Sequence, residues 1–137
     1  MKRILTIIAT AILASAALSC EKEKQEEPAR PTTYTVTMAM SSVMPTSAAH
    51  YDLTAFEYNE AGEKVANNTL TMAVNGSTRT FTANQNAVKV KLYIKMYSDN
   101  SAAPAQYYWV QQVFYLEEGK NIEIKVEDHT KVGKTEP

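Results

Sequence analysis

The chain has 137 residues, a length that suits one domain of modest size. Its 14 Lys and Arg residues are nearly balanced by 15 Asp and Glu residues, and this balance gives no support to nucleic-acid binding. The single cysteine has no partner for an internal disulfide, so the fold must be stabilised by burial of apolar side chains.

Residues 1–19 have the pattern of a secretory signal peptide. Lys2 and Arg3 place positive charge at the start, and a mainly apolar run follows over residues 4–18. This run is shorter than the roughly 20 apolar residues that a membrane-spanning helix needs. The pattern therefore predicts a cleaved leader rather than a transmembrane helix.

Small residues precede the single cysteine, in the order Ala16, Ala17, Leu18, Ser19 and Cys20. The segment resembles the lipobox of bacterial lipoproteins, although Ala17 stands where that family usually has a branched residue. The resemblance implies that the leader is cut before Cys20 and that its thiol carries a diacylglycerol, which would anchor the protein to the outer membrane. The alternative is an ordinary secretory leader followed by an incidental cysteine.

Residues 20–31 predict a charged tether that begins with the lipidated cysteine. After Cys20 the segment has Ala29 as its only apolar residue, so it cannot bury enough surface to fold. Its glutamates resemble the export signal of Bacteroidota lipoproteins, which implies display on the cell surface. A simple solvated spacer would instead leave the domain in the periplasm.

From residue 32 to residue 128, apolar residues recur at nearly every second position, which predicts β-strands. In the third strand, Leu70, Met72 and Val74 are expected on one face, and the Asn75-Gly76 turn then predicts a hairpin with the fourth strand. The predicted strands cover residues 32–40, 51–58, 68–74, 77–82, 88–97, 107–116 and 122–127.

About seven strands at even spacing, without a convincing helix, predict an all-β fold with a single antiparallel β-sandwich. The pattern is similar to immunoglobulin-like or transthyretin-like domains of bacterial surface proteins, without the Cys and Trp landmarks of antibody domains. A small closed barrel is the alternative. The domain is expected to span residues 32–128, and residues 129–137 show no pattern and are expected to form a mobile tail.

Aromatic residues on two predicted strands are the candidate ligand-binding residues. Tyr107, Trp109 and Tyr115 alternate on one strand, and Tyr93 and Tyr97 on another. Lysines 89, 91 and 95 share the face of the second pair, so we expect two amphipathic surfaces that suit a glycan or a protein partner. The alternative is that these are ordinary strand residues, with Trp109 covered by a loop.

A catalytic or metal site has weaker support. His50 and Asp52 lie two positions apart on a strand, so both leave its same face. No nucleophile motif accompanies them, and the other histidine is His129 in the tail. Three glutamates, Glu57, Glu60 and Glu63, are expected to flank the Gly62 turn. We therefore expect no enzyme activity, no metal and no cofactor.

These observations predict an exported lipoprotein that acts as a non-catalytic binding or accessory module at the cell envelope. Its partners would be the membrane, through lipid on Cys20, and a glycan or an envelope protein. One alternative is a small hydrolase or metal-dependent enzyme that uses His50 and Asp52. Another is a structural subunit of a surface assembly whose edge strands pair with neighbours.

Overall fold

The computed structural model describes residues 30–39, 48–98 and 104–137. The expected leader, Cys20 and the tether up to residue 29 lie outside the described residues. The described part contains nine strands: β1 (Thr33–Ala39), β2 (Ala48–Tyr58), β3 (Lys64–Ala73), β4 (Thr78–Thr82), β5 (Lys89–Ser98), β6 (Gln106–Val110), β7 (Phe114–Tyr115), β8 (Asn121–Glu127) and β9 (Val132–Gly133). None of these residues belongs to a helix long and apolar enough to cross a membrane.

The strands form two packed sheets, which confirms the predicted all-β sandwich. The smaller sheet has the order β4-β1-β8, and the larger has the order β3-β2-β5-β6-β9, with β7 also paired to β5. Most pairs are antiparallel, but β1 and β8 run parallel to each other. Alternation in the sequence predicts which residues share a face, but it does not determine strand direction.

The core lies between the inner faces of the two sheets. The fully buried side chains include Tyr34 and Val36 from β1, Leu53 from β2, and Leu92 and Ile94 from β5. Alternation along β1 and β5 is regular, because each buried residue is followed by a partly exposed one. The periodicity of two in the sequence therefore reports burial directly in these central strands.

The predicted hairpin after β3 does not form, although its turn does. Gly76 adopts a φ of +91°, a conformation that glycine reaches without the steric cost of a side chain. However, β3 pairs with β2 in the larger sheet, whereas β4 pairs with β1 in the smaller one. The turn therefore leads the chain from one sheet to the other.

A one-residue bulge in β3 changes which of its apolar residues are buried. Leu53 pairs with Leu70, but Tyr51 pairs with Ala73, so one extra residue is accommodated between these pairs. Met72 has a positive φ of 54° and is 66% exposed, while Ala73 is buried. Because a shift of one residue exchanges the two faces of a strand, the expected shared face of residues 70, 72 and 74 is wrong beyond Leu70.

The predicted strand over residues 107–116 is divided into β6 and β7. Tyr93 pairs with Trp109, whereas Val90 pairs with Phe114, so two extra residues lie between the paired segments. An insertion of two residues preserves the alternation of faces, since the period of a strand is two. Phe114 therefore still points inward and Tyr115 outward, as predicted.

Two residues of the expected mobile tail over residues 129–137 instead form a strand of the larger sheet. β9 pairs with β6, with Gly133 opposite Trp109 and Val132 opposite Val110. The side-chain amide of Gln111 also donates a hydrogen bond to the carbonyl oxygen of Thr135 at 3.0 Å. This segment has little apolar periodicity because only two of its residues are in a strand, and the sequence pattern did not reveal them.

Candidate functional site

The outer face of the larger sheet brings together all the aromatic residues that were predicted to bind a ligand. β5 and β6 place Tyr93 opposite Trp109 and Lys95 opposite Tyr107, and β7 places Tyr115 opposite Lys89. Directly paired residues point to the same side of a sheet, so the two expected surfaces are a single one. We call it the aromatic face, and its members are Phe56, Tyr58, Tyr93, Tyr97, Tyr107, Trp109 and Tyr115 with Lys64, Lys89, Lys91 and Lys95.

On this face Tyr93 contacts three other rings, and Trp109 contacts two. The ring centroid of Trp109 is 4.7 Å from that of Tyr93 and 5.5 Å from that of Phe56. Tyr93 in turn stacks on Tyr107, with centroids 5.8 Å apart. These separations lie in the range of favourable aromatic pairs, so the rings hold one another in place.

Lysine side chains lie between and over the rings. The Nζ atom of Lys95 is 4.7 Å from the ring centroid of Tyr97 and 5.3 Å from that of Tyr107. The hydroxyl groups of these two tyrosines interact with the Lys95 ammonium and raise the pKa of Lys95. The face therefore offers positive charge directly beside flat apolar surfaces.

The aromatic face is a surface of ring edges and faces rather than a cavity. Tyr107 is 44% exposed and Tyr115 is 69% exposed, while Tyr93, Tyr97 and Trp109 are half-buried. A concavity of about 490 Å³ lies elsewhere, beside Arg30, Asn84 and Leu116, and another of about 370 Å³ lies beside Lys125 and His129. Neither concavity is lined by a ring of the aromatic face.

The outer face of the smaller sheet has a different composition. It is formed largely by threonines. The hydroxyl oxygens of Thr35 and Thr80 are 2.7 Å apart, and those of Thr37 and Thr78 are 2.8 Å apart. Threonine and the aromatic residues both have a high preference for strands. Strand preference alone therefore does not explain why the larger sheet has rings on its outer face while the smaller sheet has threonines there.

The segment after β9 places one carboxylate on the aromatic face. The hydroxyl group of Tyr58 donates a hydrogen bond to Glu136, and the Nζ atoms of Lys91 and Lys64 lie 3.5 and 3.7 Å from its carboxylate oxygens. The hydrogen bond from Tyr58 and the two ammonium groups lower the pKa of Glu136, the hydrogen bond having the largest effect. Burial, followed by the contact with Glu136, raises the pKa of Tyr58.

The pair considered for catalysis makes other contacts. His50 stacks on the ring of Tyr97, with centroids 4.5 Å apart and planes 14° from parallel. Asp52 accepts a hydrogen bond from the backbone N–H of Met72 at 2.9 Å, so this carboxylate supports the β3 bulge. Among the described residues, no three His, Cys, Asp or Glu side chains converge as a metal site would require.

Glu57 is a residue whose position the sequence analysis misjudged. It was assigned to the surroundings of the Gly62 turn, but its side chain is fully buried in the sandwich. Its carboxyl oxygens accept hydrogen bonds from the Tyr34 hydroxyl at 2.8 Å, the Asn68 amide at 2.6 Å and the Asn84 backbone N–H at 2.7 Å. The alternation of Leu53, Ala55 and Glu57 could have revealed that it points inward.

Three members of the aromatic face, Phe56, Tyr58 and Lys64, and the carboxylate of Glu136 that contacts it were not predicted from the sequence, for different reasons. Phe56 alternates with Leu53 and Ala55, so its outward direction could have been read from the pattern. Lys64 reaches the face only because β3 begins earlier than predicted, and Glu136 only because its segment folds back onto the sheet. Neither position has a local sequence signal.

Comparison with known proteins gives no relative from which a site could be transferred. No family model, curated protein or solved structure matches this chain.

Proposed function

We propose that this protein is an exported lipoprotein, anchored to the outer membrane through Cys20, whose β-sandwich is a non-catalytic module that binds a glycan at the cell envelope. The aromatic face is its binding surface. The observation on which the proposal rests is that Tyr93, Tyr97, Tyr107, Trp109 and Tyr115, which are separate in sequence, share one outer face of one sheet.

The chemistry of the face favours a glycan over other ligands. Sugar rings offer flat C–H surfaces bordered by hydroxyl groups, and half-buried rings such as Tyr93 and Trp109 match the flat surfaces, while tyrosine hydroxyls and lysine ammonium groups suit the borders. A protein hot spot, by contrast, is a pocket that becomes fully desolvated. An open face of rings suits a polymer that can lie along it.

The arrangement around the rings also limits the cost of binding. Tyr93 is held between Trp109 and Tyr107 by ring contacts at 4.7 and 5.8 Å, so little side-chain freedom remains to be lost when a ligand stacks on them. Preorganised side chains improve affinity mainly by reducing that entropic cost.

The proposal is tested by affinity electrophoresis of protein purified from cells that express the full chain. Gels would contain one polysaccharide each, including polygalacturonate, its methyl ester and dextran. Tyr107→Ala removes a ring that is 44% exposed and should weaken retention about tenfold, which corresponds to ~1.4 kcal/mol.

Val74→Ala is the matched control, because Val74 is also apolar, is 49% exposed and lies outside the aromatic face. It should be retained like the unmodified protein. Retention that is equal for both variants would show that the rings do not bind the polymer. If no polysaccharide retards the unmodified protein, whereas an envelope protein is captured through Tyr107, the partner is a protein instead.

A further inference from the structure

A cluster of three donor groups on the aromatic face is already arranged to hold a carboxylate. Tyr58 lies at the end of β2, Lys91 lies on β5, and Lys64 lies at the start of β3. These are neighbouring strands of one sheet, so the positions of the three donors are set by strand pairing. Their common acceptor, Glu136, comes from the segment after β9.

The three donors lie on neighbouring strands of the sheet, whereas their acceptor Glu136 lies in the segment that follows β9. Among the described residues, Glu136 is the carboxylate within ion-pair distance of both Lys64 and Lys91. The side chain of Lys91 is only 14% exposed, and its ammonium group lies 4.5 Å from the ring centroid of Tyr58. A mostly buried ammonium group needs a negative partner, and a ligand carboxylate at this position would supply the same charge as Glu136.

The cluster adjoins the central rings. The Nζ atom of Lys64 is 4.6 Å from the ring centroid of Phe56 and 5.7 Å from that of Trp109. A ligand that stacked on Trp109 and bore a carboxylate on its own ring would bring that carboxylate towards Lys64. Sugars with this chemistry are uronic acids, in which the carboxylate is attached directly to the pyranose ring.

We infer that Tyr58, Lys64 and Lys91 form a carboxylate subsite for the uronic-acid residues of an acidic glycan, and that Glu136 occupies this subsite when no ligand is bound. The inference rests on the proposed function and adds the class of glycan. The protein's own carboxylate then competes with that of the ligand, and the ligand must displace it to gain the contacts with the two lysines.

The experiment compares two polymers that share their sugar rings and linkages and differ in the charge on each ring. Polygalacturonate carries a carboxylate on each ring, whereas its methyl ester keeps the same rings and linkages without the charge. The proteins are the full chain, Glu136→Gln and Glu123→Gln, each checked for folding by circular dichroism. Glu123 is exposed on β8 in the other sheet, so its substitution makes the same change in net charge far from the aromatic face.

Glu136→Gln should bind polygalacturonate about tenfold more tightly than the unmodified protein, because the competitor has lost its charge. Glu123→Gln should not differ from the unmodified protein by more than about twofold, and the methyl ester should bind all three proteins equally. Lys64→Gln combined with Lys91→Gln should abolish the preference for the acidic polymer.

Three results would contradict parts of this account, and they are distinguishable. If Glu136→Gln and Glu123→Gln change the affinity equally, the effect is one of net charge and the subsite is refuted. If the two polymers bind each of these variants with equal affinity, and Tyr107→Ala weakens the binding of both polymers, the subsite is refuted while the proposed function stands. If neither polymer nor dextran is retained by the unmodified protein or by Glu136→Gln, the proposed function and the subsite fail together.

Discussion

At the residue scale, Glu57 and Tyr58 are neighbours on β2 whose side chains lie on opposite sides of the sheet. Glu57 points into the sandwich and accepts three hydrogen bonds there, while Tyr58 points outward and donates to Glu136. Every described buried side-chain nitrogen or oxygen has a hydrogen-bond partner. The core can therefore contain a carboxyl group because its oxygens are fully used.

Glu57→Gln should destabilise the protein although it preserves the shape of the side chain. One acceptor oxygen becomes an amide donor, and it then faces a group that also donates, such as the backbone N–H of Asn84. The free energy of unfolding, measured by urea titration, should fall by about 1–3 kcal/mol. Glu123→Gln on the exposed face of β8 is the control and should change it by no more than about 0.5 kcal/mol. An equally small change for Glu57→Gln would show that the buried hydrogen bonds are not needed.

Tyr34 should make the protein sensitive to alkaline pH. Burial raises the pKa of Tyr34, as it does those of Tyr51 and Tyr58, above the ordinary value of about 10. Above pH 10 the unfolded chain loses protons that the folded protein keeps, so stability is complete below that pH and falls above it. The slope should reach about 1.4 kcal/mol per pH unit for Tyr34, whose side chain is fully buried.

The measurement is the free energy of unfolding as a function of pH between 8 and about 12. Tyr34→Phe should have a shallower alkaline slope than the unmodified protein, because one of the titrating groups has been removed. An identical slope in the two proteins would mean that Tyr34 is not protected from ionisation by the fold.

At the scale of elements, the bulge in β3 is the feature that local pattern predicted least well. Alternation predicted the inward residues of β1 and β5, where the burial of successive residues alternates along nearly the whole strand. In β3 one extra residue exchanges the faces after Leu70, and in the 107–116 segment two extra residues leave the faces unchanged. Such insertions depend on the partner strand, which is distant in sequence.

Met72→Val should destabilise the bulge, whereas Met72→Asn should not. Met72 has a φ of 54°, and a β-branched residue is strongly disfavoured in this region while asparagine tolerates it. The side chain is 66% exposed, so little packing changes in either variant. We expect Met72→Val to lower the free energy of unfolding by about 1–2 kcal/mol and Met72→Asn to leave it equal or higher. If the two variants had equal stability, the bulge would have to be formed at another position.

The aromatic face was predicted in part, and the part that was missed also depends on pairing between strands that are distant in sequence. The outward direction of Tyr93, Tyr97, Tyr107 and Trp109 follows from alternation within each strand. That β5 and β6 are adjacent, and so unite two expected surfaces, follows from pairing that the sequence does not display. The place of Glu136 depends on β9, which has only two residues.

At the scale of the whole molecule, the sandwich has two outer faces of unlike composition. The outer face of the smaller sheet and the aromatic face lie on opposite sides of the sandwich, so a ligand on the larger sheet leaves the smaller sheet free. The first described residue, Arg30, lies beside the concavity with Asn84 and Leu116, which contains no ring of the aromatic face. The charged segment from residue 20 thus joins the domain at a point separate from the proposed binding surface.

Lipidation is tested by the mass of the native protein. Protein extracted from membranes should lack residues 1–19 and should begin at Cys20 with acyl chains attached to it. Cys20→Ala should release the protein from the membrane fraction. An uncut leader, or an unmodified residue 20 in the membrane-bound protein, would contradict the anchor.

A glycan that stacks on the aromatic face should alter the fluorescence of Trp109, which is the single tryptophan of the chain. Titration of the full-length expressed protein with polygalacturonate should change the emission of Trp109 along a saturable curve. Tyr107→Ala should shift the midpoint about tenfold, and Lys125→Ala on the opposite sheet should leave it unchanged. An emission that stays constant while the polymer demonstrably retards the protein would show that the glycan binds elsewhere and would contradict the account.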